Sequence, residues 1–351
     1  AKLRHPFEVA DDLPDFPVTD AYALYQQLFE PVTARLEKAE HVITVPSGPF
    51  LSLPFGLLVV KPPPRITEYD YTQVAWMAGR QALTLSPSVQ SFINLRNTVQ
   101  PSRATETFVG FGDFVPYGNI DALLNNFGLP ERCRQDVSLI ANAYPLPQTA
   151  KEINAIAATL GVPDTSLFLG AAFTEAEVKQ TAIANYRIVY FATHGLLPYE
   201  LRCFAQPGLL VSKSGQDAGS GDGLLTSADI LEIPLDADLV VLSACNTGGP
   251  GEETGGESLS GLARAFFYSG ARSLLVTHWE APDEPTTKLM VETFKRLRSE
   301  NLSLAEALRQ SQTDFIQQHP YWSHPKAWAS FTLVGDGGQH LTTGNLAVAA
   351  N

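Results

Sequence analysis

The pattern of apolar and polar positions changes character near residue 107. Before that point, apolar residues recur at helical spacing over residues 20–40, in a span that Pro31 is expected to kink or break. A strand is predicted at residues 41–45, and residues 50–53 are expected to return beside it as a hairpin partner. From residue 107 onward, short apolar runs alternate with helical patterns, which predicts a parallel sheet with helical crossovers.

Hydroxyl residues followed three places later by Glu mark several helix starts. Thr149, Thr174 and Ser303 each open such a capping box, and Thr19 is expected to cap the first helix.

Strands are predicted at residues 83–85, 107–113, 166–169, 187–193, 208–212, 238–244, 272–277 and 331–334. Helices are predicted from Ser88 and Thr149 and at residues 227–231, 258–269, 284–299 and 304–318.

Composition indicates a well-packed globular protein. Hydrophobic residues make up 44% of the 351 positions and charged residues 17%. The net charge of -13 and the lack of any basic run argue against a nucleic-acid partner. No apolar stretch approaches the roughly 20 residues of a membrane-spanning helix, so no membrane association is expected.

Cysteine usage predicts a reducing, cytoplasmic setting. The chain has Cys133, Cys203 and Cys245, an odd and low count that does not indicate a disulfide framework. No Cys-x-x-Cys pair is present, so a structural zinc site is not expected. The chain starts without a signal-peptide pattern, and a fragment of a longer protein and a stand-alone chain both remain open.

Two of the predicted strands end on reactive side chains. Residues 187–193 lead into His194 and Gly195, and residues 238–244 lead into Cys245. If these strands are parallel neighbours, the imidazole and the thiol emerge at the same edge of the sheet, where open α/β sheets bind ligands. A nearby imidazole or a group of backbone amides would activate the thiol by lowering its pKa. Cys133 and Cys203 follow no strand and are given no catalytic role.

A second histidine fits the same geometry. His278 follows the predicted strand at residues 272–277, so periodicity alone leaves both His194 and His278 open as the base. Flanking chemistry favours His194, because Gly195 offers a backbone N–H that a substrate oxygen can approach without a Cβ in the way. His278 with Trp279 is then expected to form a pocket wall.

Other catalytic patterns are missing from the sequence. The run Gly256-Glu257-Ser258-Leu259-Ser260 lacks the final Gly of a serine-hydrolase elbow. No phosphate loop and no His-Glu-x-x-His occur, so no cofactor and no metal are expected. The acidic residues at 252, 253 and 257 are expected to form a solvated loop face, or else to hold a basic side chain or a cation.

Several runs together resemble a known family. They are Ala192-Thr193-His194-Gly195, residues 238–248 around Ser243-Ala244-Cys245-Asn246-Thr247-Gly248, residues 256–266, Ser269-Gly270-Ala271, Trp279 and Asp283, and upstream residues 45–48, 53–58, 86–88 and 146–152. From about residue 20 to 336, the chain resembles the CHAT domain family of caspase- and separase-like cysteine peptidases of clan CD. Family members usually carry Ser-Leu-Trp where this chain has Thr277-His278-Trp279.

The resemblance implies a caspase-like α/β/α sandwich, with a mostly parallel central sheet and helices on both faces. It implies an N-terminal pseudo-caspase-like subdomain over residues 18–105 and a caspase-like catalytic domain over residues 106–336. Residues 1–17 are expected to be an extended lead-in, and residues 337–351 a flexible tail.

The implied function is that of a cysteine endopeptidase that cleaves protein substrates. Cys245 is expected to be the nucleophile and His194 the base, with the N–H groups of Gly195 and Cys245 as the oxyanion hole. The expected substrate-binding residues are His278, Trp279, Asp283 and Glu257. The expected partners are a protein or peptide substrate and a tetratricopeptide-repeat domain or regulatory protein. Regulation is expected through that partner or through ordering of the glycine-rich loops at residues 212–223 and 248–256.

Two other functions fit the same residues. The chain could be a catalytically idle peptidase fold that serves as a protein-interaction scaffold. It could also be an acyl hydrolase that uses the same dyad on esters.

Overall fold

A computed structural model describes residues 2–8, 14–98, 100, 102–196, 203–204, 206–213, 223–244 and 261–341. The chain divides into two compact units, the first formed by residues 1–99 with 277–351 and the second by residues 100–276. The segment 106–336, expected to form one catalytic domain, is therefore shared between the two units. The domain boundaries drawn from the sequence stay a prediction.

The strands and helices follow one another along the chain as the change of pattern at residue 107 predicts. The strands are β1 (His41–Thr44), β2 (Ala82–Leu85), β3 (Glu106–Gly112), β4 (Leu167–Leu169), β5 (Tyr186–Ala192), β6 (Gly195–Leu196), β7 (Gly208–Leu210), β8 (Leu224–Thr226), β9 (Leu239–Ser243), β10 (Ser273–Thr277) and β11 (Phe331–Gly335). The helices are α1 (His5–Glu8), α2 (Val18–Phe29), α3 (Thr33–Leu36), α4 (Val89–Thr98), α5 (Ile120–Asn126), α6 (Arg134–Ala141), α7 (Pro147–Leu160), α8 (Glu175–Gln180), α9 (Ser227–Glu232), α10 (Gly261–Ser269), α11 (Asp283–Ser299) and α12 (Leu304–Gln318).

A parallel sheet forms the centre of the second unit. Its strands lie in the order β10, β9, β5, β3, β4, and each adjacent pair is parallel. The strand that leads to Cys245 lies between the strands that lead to His194 and His278, as expected. Parallel strands with buried residues on both faces read as continuous apolar runs, which is why these strands were visible in the sequence.

Helices cover both faces of this sheet. On one face, α7 approaches so closely that a Cβ on Gly110 would lie 2.5 Å from Ile153 Cγ2. On the other face, Phe111 stacks on Phe191 at a centroid distance of 5.0 Å, and Phe191 contacts Phe266 of α10 at 5.7 Å. Successive strand residues point to opposite faces, so one helix lies on each side. The mostly parallel sheet with helices on both faces is the fold class expected from the sequence.

The hydroxyl caps were predicted correctly at α8 and α12 and wrongly at α2 and α7. Thr174 accepts a hydrogen bond from Glu177 N at the start of α8, and Ser303 does the same with Glu306 N at α12. Helix α7 instead begins at Pro147, where the ring favours a first-turn position. Thr149 therefore lies inside the helix, and its hydroxyl accepts a hydrogen bond from the backbone N–H of residue 113 at 2.8 Å.

A small antiparallel sheet follows β5 and was largely missed by the sequence prediction. It pairs β6 with β7 and β7 with β8. Only β7 was expected, because strands of two and three residues are too short to show alternation. The glycine-rich loops expected at residues 212–223 and 248–256 lie largely outside the described residues.

Cys133 and Cys203 form a disulfide, contrary to the expectation drawn from the cysteine count. Their Cα atoms are 5.8 Å apart across 70 residues of chain. The bond joins the turn before α6 to the segment that follows β6. The odd count is explained by Cys245, the cysteine expected to be reactive. The other two cysteines were then left to form the pair.

The first unit has its own parallel strands, in the order β1, β2, β11. The hairpin expected at residues 50–53 is wrong: Gly48–Ser52 is a 3-10 helix, and β1 pairs with β2 instead. The expected break in the first helix is confirmed, since a 3-10 turn at Glu30–Val32 separates α2 from α3. Helix α2 begins at Val18, so Thr19 does not cap it.

Within the described ranges, no helix combines the length and hydropathy that a bilayer crossing needs.

Candidate active site

The register of β5 and β9 is the basis of the site. The two strands are parallel neighbours, and Ala192 lies opposite Ser243. Two residues beyond this pair, the chain reaches His194 on one strand and Cys245 on the other. Because the two strands end in register at Ala192 and Ser243, the chain leaves both of them at the same carboxyl edge of the sheet. Cys245 itself lies outside the described residues.

The imidazole of His194 is held by a backbone carbonyl. Its Nε2 lies 2.8 Å from the carbonyl oxygen of Tyr144, in the segment between α6 and α7. A carbonyl oxygen can only accept a hydrogen bond, so Nε2 carries the proton in the neutral ring. The unprotonated nitrogen is then Nδ1, which is the atom able to act as a base.

Two aromatic rings fix the plane of this imidazole. Phe114 and Tyr144 meet the His194 ring edge to face, at centroid distances of 5.4 Å and 4.6 Å. Phe114 is 1% exposed and Tyr144 is 49% exposed, so the imidazole packs against one buried and one exposed ring. Neither residue was predicted, because a carbonyl contact and ring packing from distant segments leave no sequence signal.

Backbone pairing orients Gly195. Leu210 N donates to His194 O at 2.9 Å, so residues 194 and 210 are the hydrogen-bonded pair of this antiparallel ladder. Gly195, which lies opposite Leu209, is then in the non-hydrogen-bonded position, where the N–H points away from the partner strand. Its N–H is thereby directed away from β7.

A buried polar contact lies behind the strand ends. The hydroxyl of Tyr190 donates to Glu152 Oε1 at 2.5 Å, and both residues are buried. Burial, followed by the charge of Glu152, raises the pKa of Tyr190, and a hydrogen bond to Ser243 opposes that rise. The contact therefore joins α7 to β5 and β9 just before the two strands reach His194 and Cys245. Glu152 was predicted as a helix-capping residue, and this role was missed.

Asp113 follows β3 with a left-handed backbone, at φ 54°. Burial raises the pKa of its carboxyl group. Few non-glycine residues adopt this conformation, which strains the backbone modestly and often marks a functional region. It was not singled out from the sequence.

The other predicted site residues have varied surroundings. In the first unit, His278 and Trp279 are buried at 1% and 4% exposure, and Trp279 Nε1 donates to Lys326 O at 3.2 Å. Burial raises the pKa of Asp283, and so does the charge of Glu280. Glu257 lies outside the described residues, so its expected role stays a prediction, as do those of the other three.

The described part of the chain holds no group of three His, Cys, Asp or Glu side chains that could bind a metal ion. At this edge of the sheet, the described residues supply the imidazole of His194 and the backbone amide of Gly195.

Comparison with curated proteins identifies relatives much longer than this chain. Tetratricopeptide repeat protein 28 of Homo sapiens is 25% identical over 352 residues, and the protein of that name from Mus musculus is 25% identical over 355. Each alignment covers 89% of this chain, which spans only 13% of the relatives' length.

Two kinds of solved structure are among those that match this chain. The complex of the Porphyromonas gingivalis RgpB pro- and mature domains gives a TM-score of 0.46 at 8% identity, covering 97% of this chain and 76% of that one. A Saccharomyces cerevisiae separase–securin complex gives 0.42 at 13% identity, covering 76% of this chain and 14% of that one.

A family model covers the described site and most of the chain. The model of the CHAT domain matches residues 19–336, a span that contains both strand ends and the Tyr144 segment. The likeness noted from the runs around His194 and Cys245 extends over the same span. The chain therefore belongs to the CHAT domain family.

Proposed function

We propose that the chain is a cysteine endopeptidase with Cys245 as nucleophile and His194 as base. The observation that carries the proposal is the matched register of β5 and β9, with Ala192 opposite Ser243. The contact of His194 Nε2 with a carbonyl oxygen adds to it, because it leaves Nδ1 as the basic nitrogen.

In the proposed reaction, the Cys245 thiol gives its proton to His194 Nδ1 and the sulfur attacks the peptide carbonyl carbon. The same imidazole then protonates the leaving amine as the carbon–nitrogen bond breaks, which leaves an acyl-enzyme thioester. Water attacks the thioester with His194 again as base, and the thiol and a free carboxyl group are restored. The Tyr144 carbonyl stabilises the charged imidazole during each proton transfer.

The N–H groups of Gly195 and Cys245 are proposed to hold the oxyanion. The N–H of Gly195 points away from β7 and makes no ladder hydrogen bond with it, which supports a role for this N–H in the oxyanion hole. One such donor typically lowers the barrier by about 3 kcal/mol.

Substrate binding is proposed for His278, Trp279, Asp283 and Glu257. The two carboxylates would favour a basic side chain in the substrate. A tetratricopeptide-repeat domain or a regulatory protein is the proposed partner, and the name of the curated relatives supports the first. A cytoplasmic location stays a prediction, and the Cys133–Cys203 disulfide removes the cysteine argument for it.

A thiol-directed peptide trap tests the proposal. A peptidyl acyloxymethylketone should label Cys245 in the wild type, as mapped by mass spectrometry, and label His194→Ala much more slowly. A peptide library should be cleaved by the wild type and not by Cys245→Ala. If the library stays intact with a tetratricopeptide-repeat partner present, the proposed activity is wrong and the scaffold function is favoured. Turnover of esters alone would favour an acyl hydrolase.

A further inference from the structure

The N-terminal segment, residues 2–8, covers Trp279. Within the first unit, the ring of Phe7 stacks on the Trp279 indole with a centroid distance of 3.9 Å and an interplanar angle of 13°. Phe7 is 6% exposed and Trp279 is 4% exposed. An aromatic side chain of the chain itself therefore fills the space over a residue predicted to bind substrate.

Side chains hold this segment in place. Its backbone hydrogen bond runs from Phe7 N to Arg4 O, inside the segment. Arg4 Nη2 also donates to the carbonyl oxygen of His278 at 3.4 Å, and Leu3 is buried. One turn of helix, α1, is too short to be stable by itself, so the contacts with Trp279 and His278 decide its position.

Aromatic rings surround Phe7 within the first unit. Phe16 stacks against Phe7 at 5.8 Å, and His324 meets it edge to face at 6.3 Å. His278, next to Trp279 in the chain, has a buried Nδ1 atom without a hydrogen-bond partner among the described residues. Buried polar atoms without a partner are uncommon in folded proteins, and each calls for an explanation.

The segment also forms one wall of an open groove. Leu3 and Arg4 line it on one side, and Leu24, Phe50 and Leu53 line it on the other. Removal of residues 2–8 would therefore open this groove and also uncover Trp279.

We infer that the Trp279 pocket is a docking site for a peptide with a basic residue three places before an aromatic one, and that residues 2–8 occupy it as an internal competitor. Arg4 and Phe7 show the required chemistry: a guanidinium on the His278 carbonyl and a ring stacked on the indole. The inference rests on the proposed function for its consequence, because the docked peptide would be part of a substrate.

The tether explains how the segment competes. A segment joined to its pocket by a short linker acts at an effective concentration of about millimolar, so a free peptide displaces it poorly. Loss of the Phe7 ring should empty the pocket while the rest of the chain is unchanged. A free peptide that carries the ring should then bind.

The test uses the full chain with Phe7→Ala, or with Phe7→Leu if the first variant folds poorly. The probe is a synthetic peptide of residues 2–8, Lys-Leu-Arg-His-Pro-Phe-Glu, titrated by calorimetry. The same peptide with Phe7→Ala is the control ligand. The control protein carries His5→Ala, because His5 is exposed and lies in the same segment.

The native peptide is expected to bind the Phe7→Ala protein at least tenfold more tightly than the control peptide binds it. The native peptide should also bind the Phe7→Ala protein at least tenfold more tightly than it binds the His5→Ala protein. Equal binding of both peptides, or no binding to a Phe7 variant whose circular dichroism matches the wild type, would overturn the inference. Binding needs no activity, so the two proposals fail separately. If the peptide binds and no substrate is cleaved, the docking site stands and the peptidase proposal falls.

Discussion

His194 Nε2 lies 2.8 Å from the carbonyl oxygen of Tyr144, and this contact fixes which nitrogen of the ring can act as a base. The donor is a side chain at the end of β5, and the acceptor is a backbone atom between two helices. Because the acceptor is a backbone atom, its role is independent of the Tyr144 side chain. The ring of Tyr144 has a separate role in holding the imidazole plane.

Replacing Tyr144 with Ala should lower kcat for peptide cleavage by about tenfold and leave KM nearly unchanged. The reason is that the imidazole loses the ring packed edge to face at 4.6 Å and samples other orientations, and small misplacement is costly in catalysis. Tyr144→Phe keeps the ring and is the control. A change in KM alone, or equal loss in both variants, would rule out this positioning role.

The buried Tyr190–Glu152 contact should contribute to stability. Tyr190→Phe leaves Glu152 without this donor at 2.5 Å, and the free energy of unfolding should fall by about 1–3 kcal/mol. Glu152→Gln keeps an acceptor and should cost less. Urea denaturation monitored by circular dichroism measures both variants. If Tyr190→Phe is as stable as the wild type, the contact has no stabilising role.

The strand ends could be predicted from the sequence because buried parallel strands are continuous apolar runs. The runs before His194 and Cys245 therefore stood out, and the matched register of β5 and β9 confirms that they are neighbours. Periodicity alone could not choose between His194 and His278, since both follow strands next to β9.

The errors came from local patterns that distant contacts override. Residues 50–53 were expected to form a strand, but Gly48–Ser52 is a 3-10 helix in which Leu51 is buried. Thr149 fits a capping box, but Pro147 starts the helix two residues earlier. The carbonyl of Tyr144 could not have been found from the sequence, because backbone atoms carry no residue signature.

Stability should fall as the pH drops below about 6.5. Burial, with a smaller contribution from Arg4, lowers the pKa of His278 to about 3. Burial lowers the pKa of His324 to about 4, although a hydrogen bond with the Pro14 backbone raises it, with smaller effects from Lys326 and Asp15. The unfolded chain therefore binds protons more readily than the folded one between these values and 6.5. The stabilisation that comes from keeping these two histidines neutral is complete above pH 6.5 and is lost as the pH falls. The free energy of unfolding decreases by up to about 3 kcal/mol per histidine near pH 4.

Urea midpoints at pH 7 and pH 5 measure this effect. His324→Gln should reduce the difference between the two midpoints, and His5→Gln, at an exposed position, should not. An identical pH dependence in the His324 variant and the wild type would contradict the account.

The disulfide should be detectable and stabilising. Digestion without reductant should yield a peptide that links Cys133 to Cys203, and Cys245 should be alkylated as a free thiol. Closing a loop with a sequence separation of 70 should stabilise the fold by about 2–4 kcal/mol, so Cys133→Ser with Cys203→Ser should unfold at lower urea. Recovery of both cysteines as alkylated thiols would show that the bond is not formed.

The most direct test of the account is the rate at which iodoacetamide alkylates Cys245, followed by mass spectrometry near neutral pH. His194→Ala should slow this reaction at least tenfold, because the thiol loses the imidazole that favours its thiolate form. His278→Gln, with an unchanged circular dichroism spectrum, should leave the rate near that of the wild type. Equal rates in His194→Ala and the wild type, or slowing in His278→Gln alone, would contradict the assignment of His194 and Cys245 as the catalytic pair.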